Sequence, residues 1–392
     1  MKKKLFFLFA LITLLCAFCF SAGAIASKRP YKETKTVKIV DHVVYQLNFA
    51  GQNGKERFYA VIDYFDTDEA ANDPKIAKTV KIADKIGKYP VRAIRVNLPG
   101  EADGENGPSD GGCASPKTRK LVIPQSIEML NTYAFAGFSG VRSITLPDSV
   151  TEIPEGTFMN CRSLQELHMS DKLTRIRDNA FRGCGYIKNL NLPDTLEYIG
   201  DFAFSESRFK KITLPAAAQF GDGVFSGSWA LEKVSFRCTE KGKGCIVGEL
   251  MFADCHNLKT VVFSKNLSAV CLDADAFENC WNLSALKNTD KVKIIGNGAF
   301  LGCYSLTEFT IPAGIEYVHP YAFLACPRIK TVYLKSENPD LLKDSLAHYN
   351  EYFLDSSFID FLRNDCMIYV KNADMLRMVQ EEALHSKAEI AA

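Results

Sequence analysis

Ile176-Arg177-Asp178-Asn179-Ala180-Phe181-Arg182-Gly183-Cys184-Gly185-Tyr186-Ile187-Lys188-Asn189-Leu190-Asn191-Leu192-Pro193 is one full unit of a pattern that runs through the middle of the chain. Its phenylalanine returns at Phe135, Phe158, Phe181, Phe204, Phe225, Phe252, Phe277, Phe300 and Phe323, in steps of 23, 23, 23, 21, 27, 25, 23 and 23 residues. A period in that range is the signature of stacked repeats, and it overrides any reading made element by element. One such unit cannot bury its apolar side alone, so neighbouring coils must supply the missing surface and equivalent positions must lie above one another.

Other positions move with the phenylalanine. Five residues before it stands an apolar side chain: Leu130, Ile153, Ile176, Ile199, Phe220, Val247, Leu272, Ile295 or Val318. Three residues after it stands Cys161, Cys184, Cys255, Cys280, Cys303 or Cys326, and a further apolar residue follows three later. A short alternating run then closes the unit, as in Ile144-Thr145-Leu146-Pro147. Alternation with period two reads as a strand, and the proline ends it. Strands of adjacent coils should pair in parallel about 4.8 Å apart, which predicts a stack of nine coils roughly 40–45 Å long.

The unit Ile-x-x-x-Ala-Phe-x-x-Cys-x-x-Leu-x-x-Ile-x-Leu-Pro-x-x-Leu resembles the BspA-type leucine-rich repeat of secreted proteins from gut and oral bacteria. The resemblance covers residues 119–335. It implies a right-handed solenoid of about nine 23-residue repeats, poor in helix, with short parallel strands. Departures are local. Ser207 and Ser228 replace the cysteine in repeats four and five, repeat four is one residue short before Ile212, repeat five carries an insertion after Phe236, and Asn288 interrupts the strand pattern of repeat seven.

Outside the repeats the chain changes character. Residues 1–26 read as a signal peptide: Lys2, Lys3 and Lys4, an apolar stretch from Leu5 to Phe20, then small residues that favour cleavage after Ala26. Residues 27–118 read as an N-terminal capping region. Val37–Phe49 and Arg57–Tyr64 are expected as a β-hairpin, and residues 100–118, with five glycines and two prolines, as a flexible loop. Residues 336–392 read as a C-terminal cap with a strand at Cys366–Val370, a helix from Met375 to Leu384 and a short helix within 340–364. Caps are expected because a solenoid end otherwise exposes an apolar face and an unpaired strand edge.

Composition and motifs narrow the chemistry. Removing the leader leaves 44 basic against 46 acidic residues, and nothing later is long and apolar enough to span a bilayer. The near balance of charge argues against nucleic acid, which favours a basic stripe. Six of the 13 cysteines occupy one repeat position and read as a column of small buried thiols rather than a disulfide framework. Cys238 and Cys245 bracket the insertion in repeat five and read as a small disulfide loop. Cys113, Cys271 and Cys366 have no evident partner. The cysteine spacing suits no metal, the six histidines are scattered, and nucleophile-elbow and phosphate-loop motifs are absent. The expectation is therefore a non-enzyme without cofactor or metal.

The functional surface is expected on the strand face, where residues alternating with the buried positions point outward. Binding candidates are Glu166, His168, Asn189, Asn191, Lys211, Lys233, Val262, Glu308 and Tyr333, a polar set of mixed charge. Trp229 and Trp281 lie in the turns, where they can serve as exposed anchors for a partner, although partial burial between coils is the expectation. The resemblance implies a secreted or cell-surface protein-binding module, such as an adhesin contacting host or neighbouring-cell proteins. A periplasmic envelope scaffold remains open as an alternative. So does a glycan-binding protein, which would need a linear series of exposed aromatics; the strand face offers mainly Tyr333.

Overall fold

The computed structural model describes residues 37–40, 43–52, 55–65, 79–86, 89–94, 119–185, 187, 190–337, 366–383 and 390–391. The expected signal peptide, the loop 100–118, the helix within 340–364, Asn189 and Cys113 lie outside them. The repeats form a parallel β-solenoid with two rows of strands per coil. One row follows the phenylalanine, as the alternating pattern predicts. It includes Ser143–Thr145, Glu166–His168, Leu190–Asn191, Lys211–Pro215, Lys233–Arg237, Thr260–Val262, Ala285–Lys287, Glu308–Ile311 and Thr331–Leu334. We call it the trailing row. A second, leading row precedes the phenylalanine and runs from Met129–Leu130 to Tyr317–Val318. Most of its members are only two residues long, too short for alternation to announce them.

The registers place like on like. Leu190 pairs with Ile212, Ile212 with Val234, Val234 with Val261 and Val261 with Leu286 in the trailing row. Ile153, Ile176, Ile199 and Phe220 follow one another in the leading row. The repeat four deletion therefore leaves the register intact. Asn288 does break it. Its backbone turns left-handed (φ 60°) into the short helix Thr289–Lys291, and the trailing row ends one sheet at Ala285–Lys287 and begins the next at Glu308–Ile311.

Between the rows lies the phenylalanine turn. All nine rings are at most 2% exposed. They form one continuous column with centroids 5.2–5.7 Å apart and planes within 12° of parallel. The coil repeat sets that spacing. Each buried ring contributes on the order of 1.5–3 kcal/mol before ordering entropy is subtracted.

The turn backbone makes a third hydrogen-bonded ladder. In the first coil the N–H groups of Tyr133, Phe135 and Gly137 donate to the carbonyls of Glu155, Thr157 and Met159 in the next, at 2.7–2.8 Å. The residues two before and two after the phenylalanine carry positive φ in most coils, as at Asn179 (55°) and Gly183 (65°). The N–H groups of these residues and of the phenylalanine face the following coil, while those between them donate back within their own turn, as Ala134 does to Asn131 and Ala136 to Tyr133. Asn, Asp and Gly are frequent at these two positions because they tolerate that backbone best.

At the N-terminal side, Val43–Gln52 pairs antiparallel with Lys55–Phe65, which pairs parallel with Tyr89–Ile94 and through it with Met129–Leu130. The trailing row also begins before the first repeat. Thr79–Lys81 pairs with Lys120–Val122, and Ile82, Val91 and Ile94 join the core. This coil lacks the Ala-Phe signature, so periodicity could not find it. At the C-terminal side Met367–Val370 and Ile390–Ala391 extend the trailing row, and the helix Ala373–Ala383 buries Met375 and Val379.

Candidate functional site

The trailing row presents its alternate side chains to solvent, and the registers assemble them into columns. Lys211, Lys233, Thr260 and Ala285 form one column. Asn191, Thr213, Ser235, Val262 and Lys287 form another. Glu166 and His168 lie beside Ser143 and Thr145, and Glu308 beside Thr331. Of the expected binding residues, Glu166, His168, Asn191, Lys211, Lys233, Glu308 and Tyr333 are exposed and Val262 is half-buried. These residues share a face but do not converge on a cavity. Tyr333 has a neighbour that the repeat pattern could not supply. Tyr369, from the segment beyond the repeats, stacks on it at 5.3 Å, and both rings are 39% exposed.

A feature of the same side escaped the sequence reading. Four residues after the phenylalanine, on the edge that leads into the trailing strand, stand Arg208, Trp229, His256, Trp281 and Tyr304 in five successive coils. Trp229, Trp281 and Tyr304 are 47%, 45% and 44% exposed, so the tryptophans are partly buried and still open to a partner. The Arg208 guanidinium lies 5.4 Å from the Trp229 centroid, His256 stacks on Trp281 at 3.8 Å, and Tyr304 follows at 6.4 Å. The period of 23 was the available signal: reading every column, rather than the strand columns alone, brings these rings together.

Charge is segregated. The segments 208–213, 229–235, 256–262 and 281–287 carry the edge and the outward trailing-strand positions of coils four to seven. They hold six exposed basic residues, Arg208, Lys210, Lys211, Lys233, Lys259 and Lys287, against one carboxylate, Glu232. Glu232 pairs with Lys210 at 3.4 Å. Among the described residues no carboxylate pairs with Lys211, Lys233, Lys259 or Lys287. The mixed charge of the strand columns comes from Glu166 and Glu308 in coils two and eight; within coils four to seven both the strand columns and the edge beside them are basic.

The phenylalanine turn has the opposite sign. Three residues before the ring stand Glu155, Asp178, Asp201, Asp222 and Glu249 in successive coils. Asp178 and Asp201 each accept the backbone N–H of the next aspartate, at 3.0 and 2.9 Å. Partial burial and the neighbouring carboxylates nevertheless raise the Asp178 and Asp222 carboxyl pKa values above their ordinary range. Among the described residues no group of three or more His, Cys, Asp or Glu is placed to hold a metal ion.

The repeated cysteines are buried, and they do more than fill space. Each donates its Sγ–H to the carbonyl of the phenylalanine one coil back, at 3.4 Å for Cys161 and 3.0–3.3 Å for the other five. Ser228 makes the same bond at 3.2 Å. Ser207 does not, and its hydroxyl is buried without a partner. Burial pushes the Cys326 thiol up to about 12, far from the thiolate form that reacts. Cys238 and Cys245 stand as buried free thiols, the first donating to Glu240 O at 2.8 Å.

Residues 113–232 and 219–351 match the family model of the BspA type leucine rich repeat region, in 6 copies. The chain belongs to this family. Similar solved structures include a leucine-rich repeat protein from Bacteroides ovatus, at 22% identity over 76% of this chain and 88% of that one, TM-score 0.33. A leucine rich cell surface protein from Faecalibacterium prausnitzii is 16% identical over 94% and 100%, TM-score 0.39. The pneumococcal vaccine antigen PcpA is 13% identical over 91% and 98%, TM-score 0.46. No curated protein matches this BspA-type repeat protein. Its coil is of a kind typical of non-enzymatic repeat proteins. Among its described residues, no helix is long and apolar enough to cross a membrane.

Proposed function

We propose that this chain is an exported, non-catalytic binding module that engages a protein partner through the trailing-strand face. One observation carries the reading: the registers join exposed side chains from successive coils into continuous columns with no cavity or convergent catalytic group among them. A broad surface of this kind suits an extended partner better than a small substrate. The lysine-rich start, the apolar stretch and the Ala22-Gly23-Ala24-Ile25-Ala26 exit support export. Membership of the BspA-type family supports a place outside the cytoplasm, and adhesion is the specific role we propose there.

The neutral-glycan alternative has its linear series of exposed rings in Trp229, Trp281 and Tyr304, but sugar recognition needs open ring faces, and one face of Trp281 is stacked on His256 and one face of Trp229 lies against Arg208.

The reading is tested in two steps. Protease shaving of intact producing cells, with the medium and a periplasmic control assayed alongside, should find the protein accessible while the control stays protected. Protection inside intact cells, with none in the medium, would replace the adhesin by a periplasmic scaffold. Photo-crosslinkers placed at His168 or Lys233 should then join the protein to a partner, and crosslinkers at Gln219 or Arg175 in the leading row should not. Equal labelling from both rows would remove the trailing face as the binding surface.

A further inference from the structure

We infer that the aromatic edge and lysine columns of coils four to eight form a docking surface for an acidic protein segment that carries apolar side chains. The inference rests on the reading of the trailing face as a protein-binding surface, and it names the chemistry of the partner.

The first support is electrostatic. In coils four to seven the strand and edge segments carry six exposed cations against one carboxylate, with Asp254 beside His256 at 3.6 Å and Glu308 in coil eight as acidic groups at the margin, on a chain whose total charge is only +1. Such an excess is local, and the five-carboxylate column on the phenylalanine turn balances it. Lys211, Lys233, Lys259 and Lys287 have no carboxylate partner among the described residues. An acidic partner would be attracted across this face, and a basic one repelled.

The second support is the geometry of the rings. The rings of Trp229, His256, Trp281 and Tyr304 occupy one column, and the closest pair, His256 and Trp281, lies 3.8 Å apart with planes 17° from parallel. Arg208 occupies a face of Trp229. One face of each of Trp229, His256 and Trp281 is thus covered, which leaves less ring face and proportionately more ring edge for a partner. Ring edges carry the positive end of the aromatic quadrupole and pack against the face of another aromatic ring or beside apolar side chains. Sequence-tolerant stacking of nucleic-acid bases needs open faces, as neutral sugars do. Half-exposed Trp and Tyr bordered by cations are the residue types that anchor protein interfaces. Charge alone would admit an acidic glycan or a nucleic acid; the partly covered rings favour protein.

The test titrates the full chain with a synthetic peptide alternating Glu with Phe and Leu, and with its counterpart in which Lys replaces Glu. Heparin and a thymidine oligonucleotide serve as non-protein polyanions. Binding is followed by calorimetry at low and high salt. The acidic peptide should bind, more weakly as salt rises, and the basic counterpart should not. Trp281→Ala should weaken binding about tenfold or more. Lys233→Glu with Lys259→Glu should do the same, and Arg175→Glu in the leading row should leave it unchanged. Far-ultraviolet circular dichroism checks that each variant is folded.

Equal binding of both peptides, or no binding of the acidic one at low salt, overturns the proposal. So does tighter binding of heparin or the oligonucleotide that Trp281→Ala leaves untouched, which would make the partner a glycan or a nucleic acid. The two readings fail separately. Crosslinking from Lys233 that survives both charge reversals keeps the protein-binding face and removes the acidic partner.

Discussion

The cysteine position shows how one residue type serves two purposes. A thiol is small enough for the space between coils, and its weak donor satisfies the phenylalanine carbonyl behind it. Ser228 supplies the same bond with a stronger donor, whereas Ser207 sits in the column with a buried, unpartnered hydroxyl. Ser207→Cys is therefore expected to stabilise the fold by about 1 kcal/mol, because it removes a desolvated polar group without opening a cavity. Ser228→Cys, which only exchanges one donor for another, should be nearly neutral. Denaturant melts of the two variants decide this; equal shifts would dismiss the unpaired hydroxyl as the cause. At the centre of the ring column, Phe181→Ala should cost roughly 3–5 kcal/mol through the cavity it leaves. An unchanged denaturation midpoint would remove Phe181 from the core.

At the scale of the element, the phenylalanine turn carries a conflict. Its backbone bends left-handed two residues before the phenylalanine, and the residue ahead of that bend accepts the N–H of its counterpart in the next coil, as Asp178 and Asp201 do. Repeating the choice in successive coils aligns like charges. Partial burial disfavours the charge on Asp178; Asp201 and Glu155 add to this, and Arg177 only partly offsets them. Its raised carboxyl pKa means that the folded state holds this proton more tightly than the unfolded chain. Stability from this group is greatest below the unfolded pKa, and it declines as pH rises through the folded one. Asp178→Asn keeps the acceptor oxygen and removes the charge. It should raise the thermal midpoint at pH 7, with the gain fading as pH falls through the folded-state pKa and the wild-type carboxyl takes up its own proton. Melting both proteins across pH 3.5–8 tests this, and a gain independent of pH would exclude relief of repulsion. The leading row belongs to this scale too. Its residues were visible as an apolar position five before the phenylalanine, but a two-residue strand leaves no periodicity, and only pairing with the next coil defines it.

For the whole molecule, stacking makes the ends special. The trailing row continues past the repeats, where Thr331–Leu334 pairs with Met367–Val370 and Cys366 and Ile368 are fully buried. Truncation after Lys335 should bare that strand edge and the apolar side chains beneath it. Light scattering should then report concentration-dependent association, and a truncated chain that stays monomeric and folded would deny the segment a covering role. The face itself is also a property of the whole. No single coil holds more than three of its six basic residues, and the positive surface emerges only when four coils are stacked.

The sequence by itself determined the repeat, its period, the ring column, the buried cysteines and the direction of the trailing strands. These depend on neighbours within one unit and on the rule that equivalent positions stack. Only the tertiary structure decided which columns share a surface. It placed Trp281 against His256 and Tyr369 against Tyr333, and it set the lysines apart from the aspartates. Residues 25 or more apart in the chain meet there because the coil rise brings each turn within contact of the next. Local spacing fixes a residue's column, but what lies beside it depends on how the backbone bends between columns.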